Sequence, residues 1–173
     1  VAGLKYSLYI SNVAMYFSVM DITDKKIIGI LANDARASLT DIGAAVDLSP
    51  SAVNERIRRL VTSGVIRRFT LEVDHRILGF DVLAFVWIAL ATDADESEFR
   101  SFIASHPAVA ECHHVTGAWS YCAKVRMPTL GDIEPFLAEL KARRYLARSE
   151  TVLALSTATE RPVTLPPATR RSG

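Results

Sequence analysis

Apolar positions recur at helical spacing in the first half of the chain and alternate in the second, the period changing near Ile66. Three short helices are predicted ahead of that point. Asp21 caps the first, with Asp24 in its first turn and Ile27, Ile28 and Leu31 on its buried side. Ser38 caps the second, Asp41 follows three residues on, and Leu39, Ile42 and Val46 face inward. Gly43 inside that helix costs about 1 kcal/mol of propensity, which suits a place where another helix passes close to its backbone. The third helix opens with Ser49 as N-cap and Pro50 as its first residue, and Gly64 stands where a left-handed stop belongs. Val53, Ile57, Leu60 and Val61 fall on one stripe facing the other two helices.

A candidate linker, Asp74 to Gly79, follows, and the second half reads as strand, helix, strand, strand, helix, strand. Val82 to Ala91 is the first strand. A helix begins at Asp93 with Glu96, buries Phe99, Phe102 and Ile103, and ends at Pro107. Val109 to Thr116 and Trp119 to Met127 form a hairpin about Gly117 and Ala118. Ile133, Phe136, Leu137 and Leu140 mark a second helix, and Thr151 to Ala158 the last strand. Pro135 fits the second helix without losing a hydrogen bond if the helix starts at Asp132. A start at Thr129 would leave the Gly131 carbonyl without its partner. This order is ferredoxin-like, βαββαβ. The expected organisation is α+β: an extension over 1–19, a helix-turn-helix (winged-helix-like) domain over 20–74, a linker over 75–80, a ferredoxin-like domain over 81–160, and a tail over 161–173 rich in proline and arginine.

Composition narrows the class. The 173 residues are 50 % hydrophobic, enough for real cores, with two cysteines, too few for a disulfide framework. No apolar run reaches the roughly 18 residues of a membrane span. Residues 1–19 lack the n-region and cleavage site of a signal peptide; they read either as an extension ahead of Met20 or as an amphipathic element that packs on a subunit. These features together predict a cytoplasmic protein. Twenty Lys and Arg against nineteen Asp and Glu leave a charge of +1, so nucleic-acid affinity must come from local clustering.

Such a cluster exists. Residues 51–70 hold five arginines and one glutamate, a local +4. The third helix carries Ser51, Glu55, Arg58 and Arg59 opposite its apolar stripe, flanked by Asn54 and Arg56, and Arg67 and Arg68 follow on an expected strand. Two short capped helices joined through Asp47 and Leu48, the second basic and polar at its start beyond Ser49, suit a major groove of double-stranded DNA. By position Ser51, Asn54, Glu55 and Arg58 reach base edges, and Arg59, Arg67 and Arg68 hold phosphates. A solvated helix face is the plainer alternative.

The segments D-K-K-I-I, S-L-T-D-I, L-S-P-S-A-V-N-E-R-I-R-R-L, S-G-V-I-R-R-F-T and L-G-F between Asp24 and Phe80 closely resemble the Lrp/AsnC (feast/famine) transcriptional regulators, and the similarity continues to about residue 158. Asp47 departs from that pattern, replacing a usual glycine; aspartate tolerates the left-handed turn with some strain. The resemblance implies a bacterial-type, sequence-specific regulator of metabolism whose second domain binds an amino acid or related metabolite and whose dimers assemble further, often into octamers. It places effector binding at the hairpin loop Val115, Thr116, Gly117, Ala118, Trp119, Ser120 and Tyr121, at a subunit interface. Gly117 matches the family's loop, while Ala118 and Ser120 replace acidic residues that would meet an ammonium group. A plain β-turn is the alternative.

Residues 82–90 are apolar on both faces, yet two helices cover only one face of such a sheet, so a homodimer is expected independently of the resemblance. Cys112, His113, His114 and Cys122 invite a metal reading, but strand alternation puts His113 opposite Cys112 and His114, and no metal or other cofactor is expected. Nucleophile elbow, phosphate loop and dinucleotide fingerprint are all absent, so catalysis is not expected. An architectural DNA-compacting protein and a metabolic enzyme on a ferredoxin-like fold are the competing classes.

Overall fold

The structure, a computed structural model, describes residues 20–160. The expected extension over 1–19 and the tail over 161–173 lie outside the described residues. The chain divides into two units, one reaching Glu72 and the other spanning Val73–Thr159. The segment expected as a linker thus falls within the second unit, where His75 to Gly79 form a turn closed by the Phe80 N–H on the His75 carbonyl at 2.9 Å.

In the first unit, α1 (Ile22–Asn33), α2 (Leu39–Val46) and α3 (Pro50–Thr62) each begin at the residue expected. Asp21 and Asp24 form a reciprocal capping box: the Asp24 N–H donates to Asp21 Oδ1 at 2.8 Å, and the Asp21 N–H donates to Asp24 Oδ2 at 3.2 Å. Ser38 and Ser49 accept from the Asp41 and Ala52 N–H groups at 3.1 and 3.3 Å. Ile27, Ile42 and Val53 are fully buried at the centre, with Leu31, Val46, Leu48 and Ile57 packed round them. Two expected core positions turn outward: Leu39 is 36 % and Val61 44 % exposed. Three short helices bury one narrow stripe each, and Val61 lies one step of roughly 100° beyond Leu60.

Gly43 is buried as anticipated, although its near neighbour is the following turn and not a helix. A Cβ there would stand 2.5 Å from the Leu48 carbonyl oxygen, and the Leu48 N–H in turn donates to the Gly43 carbonyl at 3.0 Å. Asp47 closes α2 in the left-handed conformation (φ 57, ψ 52). The strand expected to carry Arg67 and Arg68 is not formed. Residues 67–74 pair with no other strand among the described residues, and Phe69, Leu71 and Val73 stand exposed. A single extended segment has nowhere to place its ladder hydrogen bonds, so alternation alone does not make a strand.

The second unit is a four-stranded antiparallel sheet of order β2-β3-β1-β4, built from β1 (Val82–Leu90), β2 (Val109–His114), β3 (Tyr121–Met127) and β4 (Leu146–Leu153). Helices α4 (Glu96–Ser105) and α5 (Ile133–Ala142) supply Phe99, Ile103, Phe136 and Leu140 to the core on one face, against Ala84, Val86, Ile88, Tyr121, Ala123, Val125 and Met127. Several boundaries differ from expectation. Asp95, not Asp93, caps α4, accepting from the Ser97 and Glu98 N–H groups at 2.8 and 3.0 Å. The hairpin strands stop at His114 and restart at Tyr121. A 3-10 turn, Leu130–Asp132, precedes α5, so Pro135 is the third helical residue and displaces no helical hydrogen bond. The last strand starts at Leu146, five residues ahead of the expected Thr151, because Arg144 takes a left-handed conformation (φ 58) and turns the chain without glycine.

Leu83, Phe85 and Trp87 lie on the other face of β1. Phe85 has Lys124 beside it on β3 and Val152 on β4, and Trp87 has Cys122 and Glu150. These positions are half-buried where Ala84, Val86 and Ile88 are fully buried.

Candidate nucleic-acid interface and effector loop

Helix α3 presents Ser51, Asn54, Glu55 and Arg58 to solvent, with Arg58 and Glu55 only loosely paired at 3.5 Å. The Ser49 hydroxyl caps the helix and lies 3.0 Å from that of Ser51. Arg67 and Arg68 are exposed on the segment beyond the helix. Arg56 differs from the rest. Its Nη1 donates to Asp21 Oδ2 at 2.7 Å and to Asp24 Oδ1 at 2.8 Å, and it is only 25 % exposed. This guanidinium ties α3 to the start of α1 and is withdrawn from the group expected to meet DNA. Arg59 stands between the two cases, with Nη2 3.0 and 3.2 Å from the Asp24 carboxylate and half of its side chain in solvent.

Asp24 is the fully buried polar side chain at the centre of this network. A carboxylate without cationic partners would be costly in such a place, and two guanidiniums from α3 supply them. The Asp21 carboxyl is held below its ordinary range by the Asp24 backbone N–H and then by the Arg56 guanidinium, which is itself pushed further up by Asp21. In the sequence Asp24 reads as a helix-start signal. The stronger signal was its spacing: Asp24, Ile27, Ile28 and Leu31 fall at i, i+3, i+4 and i+7, which puts a carboxylate in the apolar stripe and requires a cation nearby.

The loop from Val115 to Tyr121 separates into parts with different surroundings. Val115 N–H donates to the Ser120 carbonyl at 3.0 Å, Ser120 N–H donates to the Ile88 carbonyl at 2.8 Å, and Ser120 Oγ accepts from the Leu90 N–H at 3.1 Å. Ser120 thus fastens the loop to β1. Gly117 has φ 104, a conformation that disfavours any side chain, although nothing lies within 4 Å of where a Cβ would sit. Thr116, Gly117 and Ala118 are exposed, and Trp119 is half-buried. Arg148 on β4 donates from Nη2 to the Ala118 carbonyl at 3.1 Å, and its guanidinium lies 4.2 Å from the Trp119 ring centroid. Arg148 was missed because the expected last strand began after it.

Tyr121 turns inward, donating its hydroxyl to Glu96 and stacking against His114 at 4.9 Å. Burial, followed by the bond to Glu96, pushes its phenol up to about 12. Glu96 is correspondingly held low, first by Tyr121 and then by Arg100. Tyr121 also lines a cleft of about 430 Å³ with Phe99, Arg100, Cys112 and His114. Burial pushes the Cys112 thiol up to about 11, so it stays protonated at neutral pH. His113 lies across from Cys122 and meets Glu111 at 3.3 Å, and among the described residues no three His, Cys, Asp or Glu side chains come together to hold a metal.

An AsnC-type helix-turn-helix domain matches residues 20–61, and an Lrp/AsnC ligand binding domain matches residues 83–164. The chain belongs to the Lrp/AsnC family. Its relatives include the HTH-type transcriptional regulator FL11 of Pyrococcus horikoshii, 34 % identical over 80 % of this chain and 91 % of the relative. LrpC of Bacillus subtilis, also an HTH-type transcriptional regulator, is 36 % identical over 68 % of this chain and 81 % of the relative. The solved structure of B. subtilis LrpC covers 81 % of this chain and 97 % of its own with a TM-score of 0.73. A Neisseria meningitidis regulator, NMB0573, solved with L-methionine, shares the fold at a TM-score of 0.78 and 21 % identity, over 85 % of this chain and 96 % of its own. As an Lrp/AsnC member the chain is an HTH-type transcriptional regulator with a ligand-binding domain, and among the described residues no helix is long and apolar enough to cross a membrane.

Proposed function

We propose that this Lrp/AsnC regulator reads operator DNA with the exposed face of α3, through Ser51, Asn54, Glu55 and Arg58, while Arg59, Arg67 and Arg68 hold phosphates. The observation that carries this reading is the single basic, polar face of a helix capped at Ser49, inside a segment that matches a helix-turn-helix domain. Arg56 is left out of the contact set because its guanidinium is engaged with Asp21 and Asp24. The second unit pairs with another copy through the open face around Phe85 and Trp87, and such dimers join into octamers. An amino acid of apolar or aromatic character binds at the Gly117 loop and alters assembly or DNA affinity. Backbone N–H groups at the glycine turn suit its carboxylate, and Trp119 suits its side chain. The protein acts by binding, without catalysis, in the cytoplasm where its DNA lies.

Retention of genomic fragments by the purified protein, followed by mobility-shift titration of a retained fragment at two salt concentrations, tests the reading. Arg58→Ala is expected to lose roughly 1–3 kcal/mol on the retained site and to relax preference at one base. Arg67→Ala is expected to weaken all sequences alike and to flatten the salt slope. Fragments retained without sequence preference would point instead to an architectural role.

A further inference from the structure

The network at the start of α1 has an asymmetry that bears on how DNA is held. Arg56 and Arg59 both bind Asp24, but Arg56 lies against α1 while Arg59 stands at the rim of the exposed face of α3, 51 % exposed. Arg59 gives Asp24 one nitrogen only: Nη2 donates to both carboxylate oxygens, at 3.2 and 3.0 Å. Among the described residues Nε and Nη1 have no partner; both edges of a guanidinium include Nη2, so Nε–H and the Nη1–H groups point to different sides, and each can give a phosphate oxygen a single hydrogen bond. The Asp24 carboxylate is itself immobile, being fully buried, bonded by the Asp21 N–H and held by Arg56.

We infer that Asp24 is a positioning residue for DNA binding, a buried carboxylate that fixes the guanidinium of Arg59 so that one of its remaining N–H groups meets a backbone phosphate. A free arginine loses rotamer entropy when it closes on a phosphate, and Asp24 removes that loss by holding the side chain beforehand. Without positioning, Asp24 is simply a negative charge close to DNA, and removing it would tighten binding. The two accounts predict opposite signs for the same substitution. The inference rests on the reading that α3 faces DNA.

Phosphate contacts carry no sequence information, so the test needs no operator. The full chain is titrated against a fluorescein-labelled duplex of mixed sequence by fluorescence anisotropy at several salt concentrations, with circular dichroism establishing that each variant is folded at the assay temperature. Arg59→Ala is expected to weaken binding roughly tenfold and to reduce the salt slope by about 0.9 per bound subunit. Asp24→Asn is expected to weaken it roughly three- to tenfold, with the slope moving the same way. The double variant should bind no worse than Arg59→Ala alone, within about a factor of two, because Asp24 acts only through Arg59. Tighter binding by Asp24→Asn, or multiplying losses in the double variant, would overturn the proposal.

Should Asp24→Asn fail to fold, Arg59→Lys decides the matter. Its compact ammonium lacks the span of a guanidinium that holds Asp24 through one nitrogen and reaches a phosphate with another, so it should lose nearly as much affinity as Arg59→Ala; binding equal to wild type would refute a positioned guanidinium. Failure of the underlying reading is recognised separately: Arg58→Ala, Arg59→Ala and Arg67→Ala would then all bind the duplex as wild type does.

Discussion

Gly43→Ala is a perturbation whose sign is set by the structure against the sign set by propensity. In an ordinary helix interior the change adds up to about 1 kcal/mol of stability. Here the new Cβ would lie 2.5 Å from the Leu48 carbonyl oxygen, a backbone atom that no rotamer change can move aside. The turn between α2 and α3 must withdraw by at least roughly 0.5 Å, an overpacking cost of about 1–3 kcal/mol. That movement also weakens the Leu48 N–H bond to the Gly43 carbonyl, now 3.0 Å long and worth about 1 kcal/mol. The balance is a loss of about 1–3 kcal/mol. Four residues on, Asp47→Gly should act in the opposite direction: relief of its left-handed conformation is worth about 1–2 kcal/mol, less about 0.5–1 kcal/mol of extra unfolded-chain freedom, leaving a gain of up to about 1.5 kcal/mol. Urea unfolding of the full chain followed by far-ultraviolet circular dichroism reads both as midpoint shifts at constant slope. A Gly43→Ala variant as stable as wild type would show that the Leu48 carbonyl is free to move and that the turn is not held by close approach.

Three further outcomes follow from the second unit. Phe85→Lys places a charge between Lys124 and Val152 on the open sheet face and should dissociate the proposed homodimer or unfold the domain at a cost of several kcal/mol, read as mass by light scattering; an unchanged oligomer would place the subunit contact elsewhere. Gly117→Val forces a branched side chain into a turn with φ 104 and should abolish the heat of amino-acid binding in a calorimetric screen of the twenty amino acids; equal binding by the variant would remove the loop from the site. Tyr121, raised from 10.0 to about 12, favours its protonated form when folded, so its contribution to stability is complete below about pH 10 and is lost as pH rises through about 12. An alkaline titration followed by tyrosinate absorbance should show one fewer late-titrating group in Tyr121→Phe, and an unchanged late phase would refute the bond to Glu96.

Helix starts were legible because caps are local: Asp21, Ser38 and Ser49 each bond an N–H group within three residues. The span of β1 was legible from its continuous apolar run, but not which of its faces meets the helices, because residues 82–90 are apolar on both. The start of β4 was not, since Arg144 does the work usually given to glycine and Arg148, Ser149 and Glu150 make an edge strand look like loop. Arg56 shows a different limit. A helical wheel places its charge beside the exposed face, but only the proximity of α1 decides that Asp21 and Asp24 take it. The same blindness to neighbours makes the segment carrying Arg67 and Arg68 read as a strand.

The sheet order has a consequence for the way the chain is made. β1 lies centrally and pairs with β3 and β4, neither of which is its neighbour in sequence; Ala84 meets Leu153. As the chain leaves the ribosome, α1 to α3 can close on contacts confined to the first unit, whereas β1 emerges early and must wait for partners synthesised much later. Throughout that interval Leu83, Phe85, Trp87 and the residues between them form a bare, uncharged β segment able to pair with the same segment of another nascent chain. Overexpression should therefore press hardest on β1, and chaperone demand should rise with the rate of synthesis even though the finished domain is well packed.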